Sequence, residues 1–164
     1  MTDTRESSLD NHRPMFGRAV VLAQAVPNRD SGLGLATEFS AAAYSSLFDR
    51  VDMLVFTPND TGTTFKSRNL YLRTYKFAYE HPRLRFLKSL PSRYPAVSYQ
   101  FLKNNHISLV QETLLEGKVD WVIIEDLQLY ALVRAYPEVF AGSKKLLRSH
   151  NVMSDIFRGL SSPI

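Results

Sequence analysis

Short apolar runs alternate along the chain with longer segments in which apolar residues recur every three or four positions. Runs of the first kind, rich in β-branched residues and bounded by Pro or Gly, are typical of buried strands. They predict strands at residues 18–26, 51–57, 84–87, 119–125 and 144–148. The run VDWVIIE at 119–125 is the clearest of them.

Segments of the second kind predict helices, because three- and four-residue spacing places apolar side chains on one helical face. They occupy residues 33–48, 95–116, 127–135 and 152–158, and the second is expected to break near Asn104 and Asn105. Ser31 or Gly32 suits the start of the first helix, and Gly117 suits the end of the second. Strands and helices alternating in this way predict an α/β fold, a Rossmann-like three-layer domain. Its mostly parallel sheet would have five or more strands, with helices on both faces.

Composition narrows the function classes without selecting one. The chain has 164 residues, 45% of them apolar, which is enough for a single domain with a core. It has no Cys, which excludes disulfides, thiolate metal sites and a cysteine nucleophile. Residues 1–15 lack the apolar stretch of a signal peptide, and no run reaches the roughly 20 apolar residues of a membrane span. We therefore expect a mobile polar tail at 1–15, one domain at 16–164 and a cytoplasmic location.

The charge pattern raises the question of anionic partners. The net charge of +4 is compatible with such a partner, but most domains with such a charge simply have a solvated surface. Residues 66–79 interleave Lys and Arg with Tyr and Phe, a mixture that surfaces binding single-stranded nucleic acid also use. No RNA-binding motif accompanies the mixture, so we expect these aromatic residues in the core and no nucleic-acid partner. The basic residues between Lys66 and Arg93 can instead attract an anionic lipid carrier or a membrane surface.

The loops that follow the predicted strands hold the candidate chemistry, since ligands of open parallel sheets bind beyond the carboxyl ends of the strands. These loops are 27–34, 57–64, 89–94, 125–127 and 149–151. Gly32 and Gly34 suit a phosphate at the start of a helix, or simply a tight turn with close helix packing. Glu125 and Asp126 can orient a hydroxyl, accept a proton or hold a cation, although Asp126 equally suits a helix cap.

The last of these loops brings Arg148, Ser149, His150 and Asn151 together directly after a strand. Such side chains donate hydrogen bonds to phosphates or sugar hydroxyls, and His titrates near neutral pH. We therefore expect a functional role for His150. The remaining histidines are expected to be structural: His12, His81 and His106.

Three segments carry a family resemblance: the closing KKLLRSHNVMSDIFRGL, the strand VDWVIIED, and DSGLGLATEF near the start. They resemble the R-x-H-N stretch, the strand before it and the Gly-containing first loop of family 4-type glycosyltransferases with the GT-B fold. The likeness covers nearly all of the chain after residue 15. The chain departs from the family pattern at Leu33, which separates two glycines that are often adjacent, and at Met153, where an acidic residue is usual.

The resemblance implies a role in a two-domain enzyme. In that family two Rossmann-like domains face each other across a cleft, and this chain would be the N-terminal, acceptor-side one. The implied reaction is a retaining, metal-independent sugar transfer without a cofactor, from a nucleotide-sugar donor to a glycan or lipid-linked acceptor, as in polysaccharide biosynthesis. The missing second domain would hold most of the donor, so this chain alone is expected to be inactive.

The resemblance also implies residue roles. His150 would be catalytic beside the transferred sugar, and Gly32 and Gly34 would lie near the donor diphosphate. For the substrate we expect contacts from the polar residues of the last two loops: Glu125, Asp126, Arg148 and Asn151. No metal ligand is expected. A lipid-linked acceptor would bring the protein to the inner face of the membrane as a peripheral protein.

Two other classes of function compete with this interpretation. The first is a non-catalytic Rossmann-like module that binds a nucleotide or a protein. The second is a phosphate-handling enzyme complete in one domain, which the lack of a P-loop and of a metal-ligand cluster in the sequence disfavours.

Overall fold

The computed structural model describes residues 16–58, 64–67, 69–76, 80–102 and 104–148. Its strands are β1 (Phe16–Ala23), β2 (Phe48–Thr57), β3 (Thr64–Ser67), β4 (Leu70–Lys76), β5 (Trp121–Ile124) and β6 (Lys144–Leu147). Its helices are α1 (Gly32–Leu47), α2 (Pro82–Ser89), α3 (Ala96–Tyr99), α4 (Asn104–Leu115) and α5 (Tyr130–Ala135). Within the described ranges, every helix is too short or too polar to span a lipid bilayer.

The six strands form one sheet in the order β3-β4-β2-β1-β5-β6. All neighbours are parallel except β3, which pairs antiparallel with β4 at the edge. The chain moves outward from β1 through β2 to β4, then crosses back to place β5 on the other side of β1. The strand order therefore reverses between β1 and β5, and this is where a parallel α/β sheet opens a crevice for ligands.

Helices pack on both faces of the sheet, because alternate residues of each buried strand point to opposite sides. One core cluster joins Val21, Met53 and Ile123 to Ala41 and Tyr44 of α1. The other joins neighbouring strand positions to α4 and α5: Leu22, Leu54, Ile124, Ile107, Val110, Leu132 and Val133. The predicted Rossmann-like α/β fold with a mostly parallel sheet of five or more strands is thus confirmed.

The predicted strand at residues 84–87 is wrong, since these residues lie within α2. The third strand of the parallel set is β4, which lies inside the basic and aromatic run at residues 66–79. Leu70 and Leu72 are buried, whereas Tyr71 and Arg73, which follow them in turn, are only partly covered, so the period of burial here is two residues. Residues 89–94 consequently do not follow a strand, and they drop out of the set of strand-end loops.

Several predicted boundaries are confirmed. Ser31 is the N-cap of α1, and its Oγ accepts a hydrogen bond from the Gly34 N–H at 3.0 Å. The predicted helix at 95–116 is broken into α3 and α4. Gly117 follows α4 with a φ of +150°, a backbone conformation that favours glycine. The predicted tail at 1–15 and the predicted helix at 152–158 lie outside the described residues.

Candidate functional site at the carboxyl edge of the sheet

A narrow crevice, too tight in this structure to admit a water molecule, lies at the carboxyl ends of β1 and β5. Its walls come from the end of β1, the first turns of α1 and the residues just after β5: Ala23, Gln24, Ala25, Leu33, Thr37, Glu125 and Asp126. Gln24 and Gln128 face each other across this edge, with Nε2 and Oε1 3.5 Å apart. The crevice therefore joins an apolar floor to carboxylate and amide groups at the point that the strand order selects for ligand binding.

Gly34 and Gly32 lie in the first turn of α1 beside this crevice, and they differ in their surroundings. The Gly34 N–H already donates to Ser31, and a Cβ at Gly34 would collide with the side chain of Asn28. Asn28 in turn holds its own loop, because its Nδ2 donates to the Val26 carbonyl at 3.0 Å. No atom lies within 4 Å of the Cβ position of Gly32. Gly34 thus secures the close approach of loop and helix, and Gly32 leaves the start of α1 open.

Glu125 is the most deeply buried ionisable group of the crevice, with only 2% of its surface exposed. It lies under α1, where the hydroxyl of Tyr44 donates to its Oε1 and Ser40 Oγ lies 3.5 Å from its Oε2. The Arg148 guanidinium reaches the same carboxylate, with Nη1 3.4 Å from Oε2. A buried carboxylate is tolerated only when charged and hydrogen-bonding partners surround it, and this one has them.

The pKa of Tyr44 is shifted by burial and by its contact with the buried Glu125 carboxylate. Burial of the side chain, followed by its hydrogen bond to the Glu125 carboxylate, raises the pKa of Tyr44 above its ordinary value of 10.0. The phenol therefore stays protonated at physiological pH and acts as a donor to Glu125. Its role is to satisfy the buried carboxylate.

Arg148 joins β6 to this cluster. Its backbone N–H continues the pairing of β6 with β5 by donating to the Ile124 carbonyl at 2.8 Å. Its Nη1 donates to Ser40 Oγ as well as to Glu125, so a strand-edge arginine is tied to the middle of α1. The structure therefore brings together Glu125 and Arg148, two of the residues predicted to contact the substrate.

Asp126 makes different hydrogen bonds from those of the adjacent Glu125. Its Oδ1 accepts a hydrogen bond from the Gln128 N–H at 2.9 Å, which closes a turn just before α5. The N-cap position of α5 is Leu129, which makes no side-chain capping bond, so Asp126 stabilises the preceding turn rather than the helix end. Glu125 and Asp126 are thus adjacent in sequence but serve separate networks. In the described part of the chain, no group of three or more His, Asp and Glu residues is placed to hold a metal ion.

The other predicted functional residues, His150 and Asn151, lie outside the described residues, as does Ser149. Two of the histidines predicted to be structural have structural surroundings. His106 is 1% exposed and its ring centroid lies 5.4 Å from that of Phe56, and the His81 side chain accepts from the Arg83 N–H at the start of α2. His12 is not among the described residues.

The polar residues of the site that were not singled out as functional candidates from the sequence include Ser40, Tyr44, Gln24 and Gln128. Ser40 and Tyr44 lie within the first helix predicted at 33–48. Polar atoms four residues apart on a buried helical face need polar partners from elsewhere in the fold. That pattern is the signal that could have indicated a buried carboxylate opposite them.

A second charged cluster lies toward the opposite, amino edge of the sheet. Arg18 donates from Nε to Asp52 Oδ2 at 2.7 Å, and Arg50 bridges Asp52 and Glu116 at 2.8 and 2.6 Å. Arg73 adds a further ion pair with Glu116 at 2.7 Å. Because ligand crevices of this fold form at the carboxyl edge, we assign this cluster to stability.

Comparison of the chain with protein-family models, with curated proteins and with solved structures finds no match.

Proposed function

We propose that this chain is the acceptor-side domain of a retaining GT-B-type glycosyltransferase, which moves a sugar from a nucleotide-sugar donor to a glycan or lipid-linked acceptor. The proposal rests on the position at which the R-x-H-N stretch, residues 148–151, begins in the fold. β6 ends at Leu147 beside β5, and Arg148, the first residue of that stretch, already contacts Glu125 in the crevice. The segment of the chain with the strongest resemblance thus starts at the crevice that the strand order selects.

The proposed chemistry is a substitution at the anomeric carbon of the donor sugar. The bond from that carbon to the diphosphate oxygen breaks, and the nucleoside diphosphate leaves with the electron pair. The acceptor oxygen forms the new bond on the same face, and its proton passes to the departing diphosphate. Fixed donors at the diphosphate stabilise the charge that develops there, and His150 beside the sugar is our candidate for contact with the reacting centre.

The first experiment compares nucleotide binding by this chain and by the complete gene product. Isothermal titration with UDP and GDP should show tight binding only for the complete product, because a second domain would supply most donor contacts. Equal affinity for the two proteins would mean that the nucleotide site is complete in this domain, and a nucleotide-binding module would replace our proposal.

The second experiment tests transfer. The complete gene product is incubated with a panel of UDP- and GDP-sugars and a lipid and glycan extract, and release of the nucleoside diphosphate is measured. His150→Ala should lower the turnover rate by about a hundredfold or more, the usual effect of losing a group at the reacting centre. His81→Ala is the matched control, because His81 is an exposed residue at the start of α2, outside the crevice. Equal activity of the two variants would remove His150 from the proposed mechanism.

A peripheral contact with the inner face of a membrane forms part of the proposal, and α2 supports it. Leu84, Phe86, Leu87 and Leu90 are between 48% and 61% exposed in and next to a helix that also carries Arg83 and Lys88. The surrounding segment 81–111 contains five Lys and Arg residues and no Asp or Glu, but Lys88 is paired with Glu80 at 3.1 Å and Arg85 is buried. Exposed large apolar side chains interleaved with cations are typical of helices that lie in the interface of an anionic bilayer.

Vesicle co-sedimentation tests this contact with a matched pair of variants. The chain should bind vesicles of mixed phosphatidylcholine and phosphatidylglycerol, and should lose binding as salt rises, because salt screens the attraction to anionic lipid. Leu87→Ser should weaken binding by about fivefold or more, since it removes an apolar side chain from the interface. Leu115→Ser changes an exposed leucine of α4 in the same way and should have no effect. Equal loss in both variants would argue against a contact through α2.

A further inference from the structure

The guanidinium group of Arg148 lies between two buried residues, Ser40 and Glu125, and open solvent. We call these two residues the seat of Arg148. On one side, Nη1 donates to Ser40 and Glu125, which are each 2% exposed. On the other side, the residue remains 43% exposed at the carboxyl edge of the sheet. The side chain is thus fixed at one end of its planar head and accessible at the other.

The two residues of the seat are themselves fixed by hydrogen bonds, so they hold the Arg148 side chain in one position. Glu125 is held by the Tyr44 hydroxyl on Oε1, which leaves Oε2 directed toward Ser40 and Arg148. Ser40 is itself fixed, because its hydroxyl donates to the Ala36 carbonyl at 2.8 Å within α1. A long arginine side chain loses much rotamer freedom when it is held in this way, so later binding by the same group has less ordering entropy to overcome.

The guanidinium uses only part of its hydrogen-bonding capacity. Its hydrogen bonds to Ser40 and Glu125 both come from Nη1, and the Tyr44 hydroxyl also interacts with the guanidinium, while 43% of the side chain stays exposed. Nε–H and one Nη2–H point in parallel and form one of the two edges with which arginine binds phosphate or carboxylate oxygens in a bidentate way.

We propose that Arg148 binds a phosphate group at the mouth of the crevice through its Nε–Nη2 edge, with Ser40 and Glu125 as positioning residues. This inference rests on the proposed function for the choice of ligand class, since both substrates of such a transfer can carry phosphate. The source is either the diphosphate of a nucleotide-sugar or the phosphate of a lipid carrier. Lys in place of Arg148 would keep the charge but lose the bidentate edge.

Inorganic pyrophosphate is the first probe, titrated at low salt into this chain and into the complete gene product. Arg148→Ala should weaken its binding by about tenfold or more, and Arg148→Lys should weaken it by an intermediate factor. Lys145→Ala removes one positive charge from the same strand, and its exposed Nζ contacts only the Ser143 carbonyl among the described residues, so its affinity should stay within about twofold.

The positioning role needs a variant that leaves the fold intact. Ser40→Ala removes the hydroxyl that holds Arg148 while placing the best helix-forming residue in α1, so the melting temperature should change little. Its affinity for pyrophosphate should nevertheless fall severalfold, because Arg148 regains rotamer freedom. If Ser40→Ala binds pyrophosphate as tightly as the wild type, Ser40 does not position Arg148 for binding.

A second probe, the short-chain lipid analogue geranyl phosphate, separates the two sources of phosphate. Tighter Arg148-dependent binding of geranyl phosphate supports a lipid carrier as the ligand, and tighter binding of pyrophosphate supports the nucleotide-sugar. Equal pyrophosphate affinity in wild type, Arg148→Ala and Lys145→Ala would overturn the anion site. Arg148-dependent binding in a complete product that transfers no sugar would refute the proposed function and leave this inference standing.

Discussion

Replacing Asp52 by Asn should strongly destabilise the protein, although the two side chains have nearly the same shape. Asp52 is fully buried on β2 and accepts hydrogen bonds from Arg18 at 2.7 Å and Arg50 at 2.8 Å. Arg18 is only 8% exposed and is further held by the carbonyls of Thr113 and Gly117 at 2.8 and 3.0 Å. Asp52 is the nearer of its two carboxylate partners, since Glu116 lies 3.7 Å away and is one-third exposed, so the buried charge of Arg18 depends mainly on Asp52 for compensation.

The expected magnitude follows from what the substitution leaves behind. Asn keeps one acceptor oxygen but turns an amide N–H₂ group toward one of the two arginines, so one donor faces another donor. Breaking a buried ion pair by removing one partner typically costs about 3–5 kcal/mol, because the remaining charge stays buried. For a chain of 164 residues, each kcal/mol lowers the melting temperature by about 2–4 °C, so we expect a fall of roughly 6–20 °C.

Thermal and urea unfolding followed by circular dichroism measure this effect. Glu38→Gln is the matched control, because it makes the same acid-to-amide change in a pair whose partner, Arg29, is 81% exposed. That exposed pair should contribute less than about 1 kcal/mol. A loss below about 1 kcal/mol in Asp52→Asn, comparable to the control, would refute the view that Asp52 compensates a buried charge.

Two further predictions concern the crevice and the acid stability of the fold. Gly34→Ala should destabilise the protein by about 1–3 kcal/mol, because the new Cβ collides with Asn28, whereas Gly32→Ala meets open space and should be neutral or stabilising in urea unfolding. Partial burial, the largest single influence, opposes ionisation of Glu116, yet its hydrogen-bonded arginine partners together lower its pKa below the ordinary 4.5. The stability that comes from this lowered pKa is present above about pH 4.5 and is lost as the pH falls through the folded-state pKa. In Glu116→Gln this contribution is absent. The unfolding free energy of the variant should therefore fall less than that of the wild type between about pH 5 and pH 3.

The sequence predicted the fold best where the strands are buried on both faces. β1, β2 and β5 each contain an unbroken run of buried apolar residues, at 19–23, 53–56 and 122–124, as is typical of central strands in a parallel sheet. β4 was missed because one flank of the sheet is covered less completely, so polar and aromatic residues alternate there with Leu70 and Leu72. The apolar run in α2 predicted a strand because such runs are usually buried in a sheet, but Leu84, Phe86 and Leu87 face solvent on a helix.

The site was predictable in position but not in its internal contacts. The rule that ligands bind at the carboxyl ends of parallel strands selected Glu125, Asp126 and Arg148 from their places in the chain. Which of them share a network depends on α1, because Ser40 and Tyr44 approach Glu125 across more than eighty residues of sequence. Local periodicity carries no information about such long-range pairs of polar atoms.

An arginine lies in a charged cluster at each edge of this sheet, and we expect the two to serve different ends. They differ in how many of their guanidinium nitrogens donate hydrogen bonds to the protein. Arg18, toward the amino edge, engages Nε, Nη1 and Nη2 with a carboxylate and two helix-end carbonyls, so its guanidinium has a protein partner on every nitrogen. Arg148, at the carboxyl edge, donates to Ser40 and Glu125 from Nη1. A saturated arginine can only hold the fold together, whereas an arginine fixed at one edge and open at the other can also bind a ligand. Substitution of Arg18 should therefore lower the melting temperature with or without phosphate present. Substitution of Arg148 should also lower it, because the buried Glu125 carboxylate loses its charged partner, and should in addition remove the stabilisation that added pyrophosphate provides.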